Sequence, residues 1–281
     1  MKPVEAVVPR TWDAELNLGY ALRAGRTTLT RRSSRGPLAV QKMLYPEGDL
    51  VCHAILLHPP GGIAGGDRLE IAIEVETGAH ALLTTPGATK WYRSADIEAS
   101  QSVGISIGRN AVCEWMPQEN IFFDAACAKN TLSVDLQEGA VFCGWDVMCL
   151  GRTASGERLK TGRIRQHLRV TRGAEPLFEE LGTLEGGGVL LDSPIGMAGY
   201  PIGATFIMAG AAISRDVLDF CRTVTPGGDC KWGVSAMGEV FVARCLARTS
   251  ETARAYFLKM WEHLRPQYAQ VPARVPRIWA T

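Results

Sequence analysis

The sequence lacks an excess of charge of either sign. Its 281 residues include 30 lysines and arginines against 29 aspartates and glutamates, which leaves a net charge of +1. Proteins that bind the phosphate backbone of nucleic acids need a clear basic excess on one face. The single basic cluster, at residues 30–35, is typical of a solvated loop. We therefore expect no nucleic-acid partner.

Long apolar runs are also missing. No stretch approaches the roughly 18 apolar residues that a membrane-spanning helix needs. Residues 1–18 contain no apolar segment of the kind found in secretory signals. We therefore expect no membrane span and a cytoplasmic protein. In that compartment the eight cysteines would be reduced thiols rather than a disulfide framework.

The common signatures of catalytic and metal sites are absent. The chain has no GxGxxG dinucleotide fingerprint and no CxxC or HExxH metal motif. The glycine-rich stretch LLHPPGGIAGGDRL, residues 56–69, has glycines at the spacing of a P-loop. Asp67 and Arg68 nevertheless stand where that loop needs a lysine and a hydroxyl, and a carboxylate there would repel phosphate. We interpret this stretch as a tight connection between strands.

Alternation of apolar and polar residues is the strongest pattern present. In residues 69–76 (LEIAIEVE) the large aliphatic side chains share one face and the glutamates share the other, as in a strand with one wet face. Residues 97–107 repeat the pattern, with Gln101 as the only polar residue on the apolar face. Gly, Pro, Asn and Asp separate such segments at short intervals, which is typical of an antiparallel β protein.

Only two helices are predicted. Residues 251–264 carry apolar side chains at helical spacing, with Ser250 as the N-cap and Arg265-Pro266 as the stop, and residues 214–224 form a weaker candidate. The strand–helix alternation of Rossmann and barrel folds is missing. We therefore predict one irregular, mainly β domain over residues 1–281, with about two α-helices, one of them near the C-terminus.

Polar side chains in aromatic or glycine-rich stretches are the remaining candidates for function. Each of them alone is more simply explained by a turn or a surface ion pair. Together they indicate polar groups held on a rigid β scaffold, as at an interface or along a lined passage. These candidates are His58, Lys90, Tyr92, Arg93, Glu114, Glu119, Asp124, Asp146 and Arg152.

Taken in order, the motifs of the chain resemble those of the UreD family of urease accessory proteins, called UreH in some systems. The stretches that carry the resemblance are GPLAVQ (36–41), YPEG (45–48), LHPPGGIAGGD (57–67), TTPGATKWYRS (84–94), EWMPQENIFFD (114–124), GWD (144–146), CLGR (149–152) and PRIWAT (276–281). They span nearly the whole chain, which is far more specific than one short motif. Trp91 and Met116 stand where the family often has Phe or Leu, and these are changes between large apolar side chains.

The resemblance implies a maturation factor rather than an enzyme. Members of the family bind apo-urease and the helical accessory protein UreF, which recruits the GTPase UreG, and the assembly delivers nickel to a urease site built around a carbamylated lysine. The implied fold is β-rich and irregular, with several sheets in a β-helix-like arrangement and two helices against them. The GTP site belongs to UreG, in agreement with the missing phosphate loop. No tightly bound cofactor is implied, and Ni²⁺ would be held only transiently.

Family proposals also place a polar passage for nickel through UreD. Sparse carboxylates and water would pass Ni²⁺ along without trapping it, because this ion prefers imidazole and thiolate ligands. On that basis, Asp67 and either Glu179 or Glu180 are candidate lining residues. The alternative is that Asp67 caps its own turn and pairs with Arg68 or Lys90.

Two other functions remain open from the sequence. One is a hydrolase that uses an acidic or cysteine side chain in the glycine-rich cleft, and the other is a stand-alone β domain that binds a small molecule. The scaffold interpretation predicts exposed aromatic anchors for partners. Candidate anchors are Trp12, Trp91, Trp115 and Trp261, although core packing is the more common fate of a tryptophan.

Overall fold

The computed structural model describes residues 11–94 and 96–280. Two facing β-sheets contain about half of these residues, and two α-helices pack on one of the sheets. The strands, in chain order, are β1 (Asp13–Arg23), β2 (Arg26–Arg35), β3 (Ala39–Val40), β4 (Val51–Leu57), β5 (Arg68–Val75), β6 (His80–Thr84), β7 (Thr89–Trp91), β8 (Ala99–Ile107), β9 (Val112–Met116), β10 (Asn120–Phe122), β11 (Cys127–Leu136), β12 (Val141–Leu150), β13 (Arg163–Arg172), β14 (Glu175–Glu185), β15 (Ile202–Ala209), β16 (Cys230–Met237) and β17 (Val240–Ala247). The helices are α1 (Arg215–Thr223) and α2 (Ser250–Ala269).

The two sheets are built by a chain that passes repeatedly from one to the other. The first sheet has the order β14-β13-β11-β8-β5-β1-β2. The second has the order β16-β17-β15-β12-β9-β6-β4-β3, with β10 beside β12 and β7 beside β10. Between β4 and β13, neighbouring strands within each sheet are parallel. This β-solenoid-like arrangement confirms the mainly β, β-helix-like fold with two helices.

The expectation of antiparallel pairing is wrong for the middle of the chain. β5 alternates as predicted, with aliphatic side chains buried and glutamates exposed, but alternation reports only which face is buried. Parallel neighbours arise because the chain visits the opposite sheet before it returns to the first. Antiparallel pairs remain at the ends of the sheets, for example β1 with β2 and β13 with β14.

The basic cluster at residues 30–35 was interpreted as a loop, and this is wrong as well. These residues belong to β2, the outermost strand of the first sheet, and most of them are exposed. Charged side chains on an outer strand discourage pairing with other molecules, so a solvated strand and a solvated loop have the same composition.

Apolar side chains form two cores. The larger core fills the space between the sheets, and the second lies between the second sheet and the helices. Three of the four candidate aromatic anchors are core residues, because Trp91, Trp115 and Trp261 are at most 6% exposed. Only Trp12, at 47% exposed, lies where a partner would reach it.

The predicted helices are present with changed ends. α1 begins at Arg215 rather than at Ser214, whose hydroxyl caps the helix by accepting a hydrogen bond from the Val217 amide. α2 is capped by Thr249 rather than by Ser250, and it continues through Pro266 to Ala269. The predicted stop is wrong because side chains from the last two turns are held by buried contacts described below. No helix in the described ranges is both long and apolar enough to cross a membrane.

Candidate functional site

Two polar rows face each other across a cavity of about 500 Å³ between the sheets. In the first sheet, Gln101, Asn130, Gln166 and Gly182 lie side by side on four neighbouring strands. In the second sheet, Asp146, Thr205, Arg244 and Gly233 do the same. Gly182 and Gly233 end the rows without a side chain. Strands lie about 4.8 Å apart, so the three polar residues of each row span roughly 10 Å. The rest of the cavity lining is mostly apolar, with Leu, Ile, Val and Met side chains.

Asp146 is a partly buried acid that lines this cavity. Its Oδ1 accepts a hydrogen bond from Asn120 Nδ2 (2.7 Å) and its Oδ2 accepts one from Gln166 Nε2 (2.8 Å), so the second contact joins the two sheets. Burial raises the pKa of Asp146, and the two amide donors oppose this shift because they favour the charged form. The negative charge of Glu180 also raises the pKa, which means that the two carboxylates influence each other.

The outer end of the cavity is bridged by an ion pair. The Glu180 carboxylate on β14 lies 2.9 Å from the Arg244 guanidinium on β17, and the two side chains are 40% and 55% exposed. Lys231 on β16 lines the same end. β14 and β16 are the outermost strands of their sheets. We call this end the mouth of the cavity, because solvent reaches the side chains there.

His58 is one of two histidines in the cavity lining, with His167. It follows β4, and burial lowers its pKa, while the nearby negative charge of Asp67 raises it. The neutral ring is therefore favoured near pH 7, and a neutral imidazole is the form that coordinates transition metals.

The glycine-rich loop, residues 56–69, is a tight β connection as interpreted. Ile63 donates to the Lys90 carbonyl (2.7 Å) and accepts from the Tyr92 amide (2.9 Å). A Cβ atom at Gly62 would come within 2.5 Å of the Tyr92 ring, so only glycine permits this approach. The glycines therefore serve backbone packing against residues 90–94.

Asp67 holds this loop to the first strand. Its Oδ1 accepts from the Trp12 amide (2.9 Å) and its Oδ2 accepts from the Ala64 amide (2.8 Å). The residue is 6% exposed and is not among the residues that line the cavity. In the described part of the chain, Asp67 forms no ion pair with Arg68 or Lys90. Asp67 therefore caps its own turn, but the ion pair that the alternative also included is not formed. A passage role for Asp67 stays a prediction.

We expect Asp67→Ala to lower the free energy of unfolding by about 1–3 kcal/mol, because two backbone donors lose a charged acceptor. Urea unfolding of the purified chain measures this effect. If Asp67 only holds the loop, the variant that remains folded will still support normal nickel content in urease. A specific loss of nickel at unchanged stability would instead assign the carboxylate to the passage.

Glu114 lies on the other side of the second sheet, under α2, in a buried ionic cluster. The cluster comprises Glu47, His53, His80, Glu114 and Arg265. Arg265 donates to both glutamates, His80 Nε2 lies 2.9 Å from Glu114 Oε2, and His53 Nε2 lies 2.5 Å from Glu47 Oε1. These contacts anchor the last two turns of α2.

Two neutral donors complete this cluster. The Trp261 indole donates to Glu114 (2.7 Å), and so does the Tyr268 hydroxyl (2.5 Å). Burial opposes ionisation of Glu114, but His80 and Arg265 outweigh burial and hold its pKa well below the ordinary range. Glu114 is therefore a charged structural residue.

Asp124 and Arg152 are held at local contacts outside the cavity. The Asp124 carboxylate accepts from the Lys160 and Thr161 amides (2.8 and 2.9 Å). Burial opposes its ionisation, and these donors more than compensate, so its pKa is lowered. Arg152 pairs with Glu157 (2.9 Å) and lies over the Phe123 ring.

The remaining candidates are spread over the surface and the loops. Glu119 is near Arg254 on α2 (3.7 Å), and Glu179 pairs with His167 (2.9 Å). Tyr92 packs on the glycine-rich loop, while Lys90 and Arg93 are exposed. Of the twelve candidates, the structure therefore brings His58, Asp146 and Glu180 to the cavity.

The sequence reasoning missed most of the polar rows. Gln101 was noticed because it interrupts an apolar face, and Asp146 interrupts the inward face of β12 in the same way. The same signal was available for Gln166, which lies between Ile164 and Leu168 on β13. Arg244 gave the same signal, because it lies between Val242 and Leu246 on the inward face of β17.

In the part of the chain that the structure describes, no cluster of metal ligands forms, and the most deeply buried thiols are not activated. No group of three or more His, Cys, Asp or Glu side chains in the described ranges could hold a metal ion. All eight cysteines are unpaired. Burial raises the pKa of Cys113, Cys143 and Cys149, so these thiols stay protonated and are poor nucleophiles.

A family model and three known proteins similar to this chain carry the same description. The family model for UreD urease accessory protein matches residues 13–280. Urease accessory protein UreD of Methylobacillus flagellatus is 45% identical over 272 residues, covering 97% of this chain and 95% of that protein. The protein of the same name from Dechloromonas aromatica is 47% identical over 274 residues, covering 96% and 95%. A third, from Azoarcus sp., is 45% identical over 270 residues, covering 96% and 94%. The chain therefore belongs to the UreD family of urease accessory proteins.

Proposed function

We propose that this protein is a non-enzymatic urease maturation factor that assists the delivery of nickel. It would bind apo-urease and UreF, with UreG recruited through UreF, and Ni²⁺ would be transient cargo that moves through the inter-sheet cavity. The observation that carries the passage is the pair of facing polar rows. Family membership supports the role in urease maturation. Eight unpaired cysteines fit assembly in the reducing cytoplasm.

The chemistry of the rows suits an ion that must leave again. Ni²⁺ binds most strongly to sites that combine several imidazoles or thiolates. Here the donors are amide and hydroxyl oxygens, the two carboxylates of Asp146 and Glu180, and the imidazoles of His58 and His167, the second of which pairs with Glu179. Conduction requires sites that attract an ion and also release it. Scattered oxygen donors in an otherwise apolar lining meet both requirements.

Asp146 would be the inner group that binds the cation transiently in this passage. Its raised pKa means that the carboxyl group is more easily protonated than an exposed aspartate. An arriving cation would favour the charged form and displace any proton. The Asn120 and Gln166 side chains would hold the carboxylate in place while the cation passes.

Co-expression of the tagged chain with urease subunits, UreF and UreG tests the proposal. We expect the tagged chain to retain UreF and apo-urease, and urease matured with it to contain near-stoichiometric nickel. Urease matured without it should contain little nickel. Retention of neither partner, or equal nickel content with and without the chain, would contradict the proposed function.

A small-molecule-binding domain is the second candidate. The mostly apolar cavity of about 500 Å³ lies within the size range of ligand pockets. This function predicts that the chain purified alone carries a bound small molecule, which native mass spectrometry would detect. A ligand-free chain that binds urease partners would exclude it. The hydrolase alternative has weaker support, because the thiols identified above are protonated.

A further inference from the structure

Arg244 is an unexpected residue for a cation passage, because its positive charge faces the cavity at the mouth. It lies in the row of Asp146 and Thr205, so an ion that travels along that row must pass the guanidinium. A fixed positive charge would repel Ni²⁺ unless it can be neutralised or moved. The contacts of Arg244 show whether its charge is neutralised and whether its side chain can move.

Arg244 is neutralised by one partner and is free to move. Its guanidinium lies 2.9 Å from the Glu180 carboxylate, and more than half of the arginine side chain is exposed. Ion pairs with this exposure contribute little net free energy, because solvent competes for both groups. The pair therefore costs little to open, and the arginine side chain can extend into water when it does.

We propose that Arg244 is a displaceable counter-ion that occupies Glu180 in the absence of a divalent cation and thereby keeps cation binding at the mouth weak. This inference rests on the proposed nickel role and adds a regulatory residue to it. Each incoming cation exchanges with the guanidinium at Glu180. The returning guanidinium then favours release of the cation toward Asp146.

The exchange explains how two carboxylates can face one cavity without trapping nickel. Asp146 and Glu180 are close enough for the charge of one to raise the pKa of the other. Two unopposed carboxylates would hold a divalent cation more tightly than either would alone. A mobile guanidinium beside one of them weakens this site and leaves its geometry unchanged.

Metal titration of the purified chain with Ni²⁺ alone tests the inference. We expect Arg244→Gln to tighten Ni²⁺ binding by about tenfold, since it removes both the competitor and a repulsive charge. The matched control is Arg169→Gln, which removes an exposed arginine from the outer face of β13 and should leave the affinity unchanged. The double variant Arg244→Gln with Glu180→Gln should return the affinity to the wild-type value or below it.

A second measurement follows the nickel to urease. Maturation with Arg244→Gln should leave more nickel on this chain and load urease more slowly, while retention of UreF and urease is unchanged. Equal Ni²⁺ affinity in the wild type and in a folded Arg244→Gln variant would overturn the counter-ion inference and leave the proposed function intact. A wild-type chain that retains no urease partner would instead overturn the proposed function.

Discussion

Glu114→Gln should lower the free energy of unfolding by about 3–5 kcal/mol, the range observed when one partner of a buried ion pair is removed. Glu114 is fully buried, and its two oxygens accept hydrogen bonds from Arg265, Trp261 and Tyr268. A glutamine would place an amide NH₂ against these donors and remove a negative charge beside the buried guanidinium. Urea unfolding followed by circular dichroism measures the change.

The matched control is Glu76→Gln. Glu76 also pairs with an arginine, Arg23, at 3.2 Å, but both side chains are exposed. Its removal should leave the unfolding midpoint within error of the wild type. Equal midpoints for the two variants would contradict a stabilising role for the buried ionic cluster.

The pH dependence of the free energy of unfolding provides a second test of the role of Glu114. Glu114 has an ordinary pKa of 4.5 in the unfolded chain and a lower one in the folded protein, so its contribution to stability is fully present above pH 4.5 and is lost as the pH falls through the folded-state pKa. The stability gap between the wild type and Glu114→Gln should therefore be constant near neutrality and narrow in acid. A gap that widens below pH 4.5 would show that the shift has the opposite sign.

Gly182→Phe should reduce the nickel content of matured urease at least about tenfold, because a bulky side chain would narrow the passage at its mouth. Gly182 lies on β14 opposite Gln166, between the inward-facing Glu180 and Leu184. A Cβ atom there meets no other atom within 4 Å, and the backbone has no positive φ that would require glycine. The Cβ atom of the phenylalanine is therefore accommodated without a clash, and it directs the ring toward the cavity.

Gly104→Phe is the matched control for this experiment. Gly104 also lies on a strand of the first sheet with open space at its Cβ position, but it is on the exposed outer face of β8. Both variants should keep wild-type stability and retain UreF and urease, and only Gly182→Phe should lose nickel. Normal nickel content with Gly182→Phe would contradict a passage through this cavity. Loss of partner retention with Gly182→Phe would contradict it as well, because the mouth would then be a contact surface.

The local pattern predicted which residues are buried better than it predicted where they pair. The wet and dry faces of β5 and the existence of both helices follow from short-range spacing, and all are present. Parallel pairing in the solenoid depends on strands about 30 residues apart, such as β5 and β8, and no local spacing encodes it. The continuation of α2 past Pro266 likewise depends on Glu47 and Glu114, which are distant in the chain.

For the candidate site as well, the sequence named residues that only the structure could tell apart. Asp146, Glu180 and His58 were named from the sequence, but nothing in the sequence separated them from Glu114 or Asp124. Burial and partners separated them, since Glu114 has a guanidinium and three other polar groups around it, whereas Asp146 has two amides and an open cavity. An acidic residue in a motif can be a structural ion-pair partner, like Glu114, or a residue that lines a cavity, like Asp146.

By itself, the sequence determined that this protein is mainly β, that it carries two helices and that it belongs to the UreD family, because alternation and motif order are properties of the chain read locally. Only the tertiary structure decided that Gln101, Asn130 and Gln166 form one row and that Arg244 meets Glu180 across the sheets. The physical reason is that strand register and sheet stacking set these contacts. Both depend on the packing of residues far apart in the sequence.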